Sequence, residues 1–194
     1  MFDDVHVEGI TKISKLDMAY AESIGCVIKL LGIVSKEEDG LSLSVHPAII
    51  AKSHPLASVG GSFNAVFVQG DAIDEAMFYG RGAGKLPTAS AVLGDIIDEI
   101  KQTDTVLSQT WASSDNNNFV ASMDAFTAPR CYRTTSCAPG VFAKVADAVG
   151  AKLEQTAENG CIIASCSQKT ASVFADALKK EGVSVLAQIP VLED

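Results

Sequence analysis

Cys26-Val27-Ile28-Lys29-Leu30-Leu31-Gly32-Ile33-Val34 is the stretch on which the fold turns. It is an apolar run of strand length, and Glu38-Asp39-Gly40 follows it as a turn. Leu41, Leu43 and Val45 then alternate with Ser42 and Ser44, the period of a half-buried strand. Two strands so closely joined form an antiparallel hairpin, because parallel neighbours need a longer crossover. Working outward, Asn64–Val68, the turn Gln69-Gly70-Asp71 and Ala76–Tyr79 predict a second hairpin. Upstream, Ser14 stands three residues before Asp17 in a capping-box pattern. Leu16, Ala19, Tyr20 and Ile24 follow at helical spacing, and Gly25 suits the left-handed C-terminal cap.

The last third reads differently. Arg130–Ser136 is a strand, and Val141–Val149 a helix with Val141, Val145 and Val149 on one face. Leu153–Glu158 and Cys161–Ser165 flank Asn159-Gly160, a strong hairpin signal. A helix through Val173, Phe174, Ala177 and Leu178 stops at Gly182, and Val183–Val191 is the closing strand. This βαββαβ order is a ferredoxin-like split unit. The expected class is therefore α+β, a largely antiparallel sheet with helices on one face followed by a ferredoxin-like βαββαβ domain. The polar stretch around Ser113-Ser114-Asp115-Asn116-Asn117-Asn118 cannot pack a core, so residues 105–123 are expected to link a domain at 1–104 to one at 124–194. Trp111 within it reads as an anchor onto a neighbouring domain.

Composition narrows the function. The 194 residues are 47% hydrophobic and carry a formal charge of −9, which excludes a wholly disordered chain and argues against a nucleic-acid partner. No apolar run approaches the length of a membrane span, and Met1-Phe2-Asp3-Asp4 lacks the basic and apolar regions of a signal peptide. Five cysteines without a CxxC support neither a disulfide framework nor a zinc ribbon, and three histidines make a His-based metal site unexpected. A soluble cytoplasmic protein is the expectation.

One segment points to chemistry. Tyr79-Gly80-Arg81-Gly82-Ala83-Gly84-Lys85-Leu86-Pro87-Thr88 carries a strand into alternating glycines and then into a helix start. Ala89, Val92, Leu93, Ile96, Ile97 and Ile100 continue it as an apolar stripe. Glycines let a backbone approach a ligand, and a helix start offers N–H groups and partial positive charge. A phosphate, a carboxylate or the amide of a cofactor ring would suit such a turn, as would no ligand at all. The spacing fits neither the Rossmann nor the P-loop fingerprint.

Taken jointly, Val7-Glu8-Gly9-Ile10, Ile28-Lys29-Leu30, Val45-His46-Pro47, His54-Pro55-Leu56-Ala57-Ser58-Val59, Asn64-Ala65-Val66, the glycine turn and Pro87–Ile96 resemble homoserine dehydrogenase in order and spacing. The resemblance covers residues 4–101, the later part of that family's catalytic domain. The terminal βαββαβ unit, with Pro139-Gly140-Val141-Phe142 at its strand-to-helix turn, resembles the ACT-type regulatory domain. The resemblance implies NAD(P)-dependent interconversion of homoserine and aspartate semialdehyde, within threonine, methionine and isoleucine biosynthesis, by a homo-oligomer whose sheet is covered by a two-fold partner. It places Gly82, Ala83 and Gly84 at the nicotinamide end of the cofactor, NADP or NAD, with Thr88 as a neighbour. No segment matches the family's Rossmann unit or its Asp-and-Lys catalytic signature. The chain is thus expected to be a C-terminal portion, inactive alone and holding no catalytic residue. The alternative is a stand-alone ACT-type module that binds an amino acid or another subunit.

The remaining candidates read as structural. Lys29 extends its stem along the core, His54 and His46 precede prolines in hydrogen-bonding positions, and Glu8 caps or meets an interface. Lys85 stands where it could meet a phosphate, while Asp95, Asp98 and Glu99 form a solvated helix face. Cys137 takes the place where amino-acid-binding ACT domains carry an Asp, which puts effector binding there in doubt.

Overall fold

A computed structural model describes residues 5–37, 40–101, 120–121, 127–138 and 140–192. In chain order its elements are β1 (His6–Val7), α1 (Lys15–Ser23), β2 (Cys26–Glu37), β3 (Gly40–Ala51), β4 (Phe63–Gly70), β5 (Asp74–Arg81) and α2 (Lys85–Lys101). They continue with β6 (Thr127–Thr134), α3 (Val141–Val149), β7 (Leu153–Ala157), β8 (Gly160–Ser167), α4 (Gln168–Lys180) and β9 (Val185–Pro190). Among the described residues no helix is long and apolar enough to cross a membrane.

The β2–β3 hairpin pairs antiparallel along its whole length, from Cys26 opposite Ala51 to Glu37 opposite Gly40. Its turn residues Glu38 and Asp39 lie outside the described residues, as do Trp111 and the polar run at 113–118. The expected capping box is formed: the Asp17 N–H donates to Ser14 Oγ at 3.3 Å, and the Ser14 N–H donates to Asp17 Oδ2 at 2.7 Å. Gly25 closes α1 with φ +77°. The reading missed β1, which pairs parallel with β3 through His6–Ser44 and Val7–Val45. Two residues give no periodicity to read, and the crossover that permits parallel pairing is built from α1 and β2.

The four-stranded sheet has the order β7-β8-β6-β9 with every neighbour antiparallel. That is the order a split βαββαβ unit requires. Side chains alternate across it. Tyr132, Cys161 and Ile163 face α3 and α4, where Phe142, Val145, Phe174 and Leu178 complete a buried core. Cys131 and Ile189 face the opposite way, into a second core with Ile49, Tyr20, Cys26 and Ile28. One face of this sheet is thus covered by its own helices and the other by α1 and the first hairpin.

That second core regroups the chain. Residues 1–52 cluster with 116–194, and residues 53–115 form a separate compact unit. Strands from both sides of the expected 105–123 link thus share a core, which sequence pattern does not announce: it shows that a strand has a buried face but not which surface buries it. The two segments are tied further by a buried ion pair, with Arg133 Nε donating to Asp17 Oδ1 at 2.5 Å. Val191 bridges Ile49 in parallel, and the Leu192 N–H donates to the Ile49 carbonyl at 2.9 Å.

The 53–115 unit holds the β4–β5 ribbon, in the register Phe63–Arg81 to Gly70–Asp74, and α2. Its described residues bury no apolar side chain. Val92, Leu93, Ile96, Ile97 and Ile100 of the α2 stripe are all exposed, as are Val66 and Phe78 on the ribbon.

Candidate functional site

The glycine turn sits at the end of the ribbon. β5 finishes at Arg81, Gly82-Ala83-Gly84 makes the bend, and α2 starts at Lys85. Gly84 has φ +122°, a conformation that a side chain resists. Gly82 is small for a different reason: a Cβ there would come within 2.7 Å of Asn64 Nδ2. The Thr88 N–H donates to the Gly84 carbonyl at 3.1 Å, so the helix ladder begins at the bend. Pro87, in the first turn, supplies no N–H. Lys85 and Leu86 therefore carry the first-turn N–H groups that no helix carbonyl can reach.

The ribbon presents two different faces at this end. On one, Asn64 opposite Gly80 and Val66 opposite Phe78 run toward Gly82 and line an open hollow of about 300 Å³. On the other, Phe63 and Tyr79 stack with centroids 4.8 Å apart. The Arg81 guanidinium lies over the Phe63 ring at 4.5 Å and donates to Ser62 Oγ at 2.8 Å. This clamp fixes the strand that leads into the bend. Gly82, Ala83, Gly84 and Thr88 are all exposed, and of the four only Gly82 lines the hollow. Sequence reasoning missed Asn64 as the residue that shapes the bend. The one signal was its place in the short Asn64-Ala65-Val66 strand, where nothing marks a contact with Gly82.

The other singled-out residues take structural places. His54 is buried, accepts the Leu56 N–H on Nδ1 at 3.1 Å and meets Phe67 edge-on at 5.0 Å between centroids. It caps a short 3-10 turn, Pro55–Ser58. Lys29 is half-buried in β2, and Lys85, Asp95, Asp98 and Glu99 are exposed. No cysteine is set up as a nucleophile, since burial pushes all five thiols up, Cys131 and Cys161 to about 12. Among the described residues no group of three His, Cys, Asp or Glu side chains could hold a metal ion.

Comparison with known proteins meets this geometry at the same residues. The sequence profile of the homoserine dehydrogenase family matches residues 1–97. Homoserine dehydrogenase of Synechocystis sp. is 53% identical over 100 residues, which are 50% of this chain and 23% of that protein. The Mycobacterium leprae enzyme is 52% identical over 100 residues, 49% of this chain and 23% of its own length. The crystal structure of a homoserine dehydrogenase from Thiobacillus denitrificans superposes on 100% of this chain and 48% of its own, with a TM-score of 0.83 and 28% identity. The chain thus spans about half of that solved chain, and its matched part under a quarter of the curated relatives. The profile takes in the capped helix, the first hairpin, the ribbon and the bend between β5 and α2, and on that ground this chain belongs to the homoserine dehydrogenase family.

Proposed function

We propose that this chain forms the later part of an NAD(P)-dependent homoserine dehydrogenase, interconverting homoserine and aspartate semialdehyde in threonine, methionine and isoleucine biosynthesis. Residues 1–104 complete the catalytic and dimerisation domain, and residues 124–194 form an ACT-like domain. The observation that carries this is the bare bend at Gly82–Gly84, within the stretch that matches the family. The residues suit a nicotinamide cofactor, NAD or NADP, whose ring accepts or donates a hydride. Gly84 keeps the backbone free of a side chain at φ +122°, and Gly82 leaves the Asn64 amide in place beside it. Their part is to bring polar backbone close to the ring, with the Thr88 hydroxyl on the next turn as a neighbour. No proton-transfer lysine is assigned to these residues, so in this reading the isolated chain does not turn over homoserine.

The apolar faces of α2 and the ribbon support assembly as a homo-oligomer, since exposed patches of this kind mark contact surfaces. In this reading the enzyme works in the cytoplasm. The test is turnover. The 194-residue polypeptide should show no homoserine oxidation, and adding the family's nucleotide-binding domain as a separate polypeptide should restore it. Activity in the polypeptide alone would overturn the assignment.

A second reading, a stand-alone ACT-type module, is favoured by the β7-β8-β6-β9 order. Calorimetric titration with threonine, methionine and NADPH separates the two. A tight amino-acid response without any nucleotide response supports the module.

A further inference from the structure

Beyond β1, β3 is next met only at an isolated bridge to Val191, and a gap is left between them. β1 stops at Val45, whose carbonyl accepts the Glu8 N–H at 2.7 Å, and Val191 takes over only at Ile49. Between them lies His46-Pro47-Ala48, where Pro47 has no N–H to offer a neighbouring strand. A cavity of about 170 Å³ opens here, lined by His6, Glu8, His46, Arg130, Gln168 and Gln188. That matches the cavities of ~150 Å³ that accept a benzene-sized molecule.

The lining is polar and rich in donors. Arg130 reaches it from β6, beside the bulge at Ala128/Arg130, and is only 3% exposed; His46 is 2% exposed. Gln168 is the first residue of the thirteen-residue α4, so the positive end of that helix adds to the guanidinium charge. Burial lowers the His46 pKa and favours the neutral imidazole, as does the nearby Arg130 charge, while a hydrogen bond to the Pro47 carbonyl works the other way. Glu8 is the one carboxylate on the wall. It is half-exposed, with Lys12 Nζ 3.8 Å away. A guanidinium carries five N–H donors in a planar fork, so a bound anion can share it with other partners.

We propose that this cavity binds a small oxyanion, the carboxylate or phosphate group of a small molecule, with Arg130 as the charged donor and Gln168 and Gln188 as neutral ones. The site stands apart from the reading of the glycine turn, because none of its residues belongs to the 53–115 unit. Isothermal titration of the 194-residue chain with inorganic phosphate, and separately with acetate, at constant ionic strength and with chloride as the control, tests it. Saturable binding of either oxyanion is expected, and which of the two binds tells phosphate from carboxylate chemistry. Arg130→Met should weaken that binding about tenfold or more. Should Arg130→Met fail to fold, Gln168→Glu keeps the test open, since it sets a carboxylate on the exposed first turn of α4. It should give a similar loss with an unchanged circular dichroism spectrum. No saturable binding of either oxyanion, equal binding of chloride, or wild-type affinity in Gln168→Glu would overturn the proposal.

Discussion

Asp17 does two jobs with one carboxylate. One oxygen completes the cap of α1 through Ser14, and the other accepts from Arg133 of β6. Burial alone would raise its pKa, but the hydrogen bonds from Arg133 and Ser14 outweigh that and hold it below the ordinary carboxylate value. A depressed pKa means that the stabilisation is complete above the unfolded value near ~4 and is lost as pH falls through the native one. Asp17→Asn should cost about 3 kcal/mol at pH 7, read from urea denaturation. The gap between the variant and the parent should narrow as pH drops below about 4. Gly160 marks a second junction between distant segments. A Cβ there would run into the Tyr132 carbonyl and the Tyr20 ring, so Gly160→Ala should destabilise by about 1–3 kcal/mol and loosen α1 from β8. Fluorescence of the tyrosines during unfolding would report it.

α2 is the element whose surroundings depart furthest from its sequence. Its stripe has the spacing of a buried helix face, yet Leu93, Ile96 and Ile100 are at least half exposed. The period is a property of the helix, and it was legible. The covering surface is not encoded in the helix itself. The same holds for the first hairpin: the alternation of Leu41, Leu43 and Val45 announces a strand, yet Ser42 and Ser44 are the residues it buries, and Ile49 further along packs on Cys131 and Ile189 from a segment far along the chain. Signals of short range fared best. The Ser14–Asp17 cap and the glycines at 25 and 182 stand where the sequence places them, since each is decided by a few neighbouring dihedrals, while the β7–β8 turn falls one residue earlier, at Glu158-Asn159, with Gly160 already paired to Ala157. At the candidate site the glycine bend was readable for the same reason, and the Asn64 contact that fixes Gly82 was not. Leu93→Lys with Ile96→Glu should lower concentration-dependent association of the chain in sedimentation velocity, with helix content unchanged. Unaltered association would place the sticky surface elsewhere.

Across the whole molecule, burial is unequal. Tyr132, Phe174, Ile163 and Leu178 are fully enclosed in the 1–52 and 116–194 unit, while the described part of 53–115 buries no apolar side chain. Buried apolar area sets local stability. Amides of β4, β5 and α2 should therefore exchange with deuterium before those of β6 and β8, at denaturant concentrations where the latter remain protected. Simultaneous loss of protection would show that the two units unfold as one. The pairing of Ile49 with Val191 has a further bearing, on biosynthesis. A ribosome adding about 5–20 residues per second delivers Val191 roughly seven to thirty seconds after Ile49. Throughout that interval the nascent β3 lacks its late neighbour, and the apolar surface of its hairpin is a natural target for chaperones that attend the growing chain.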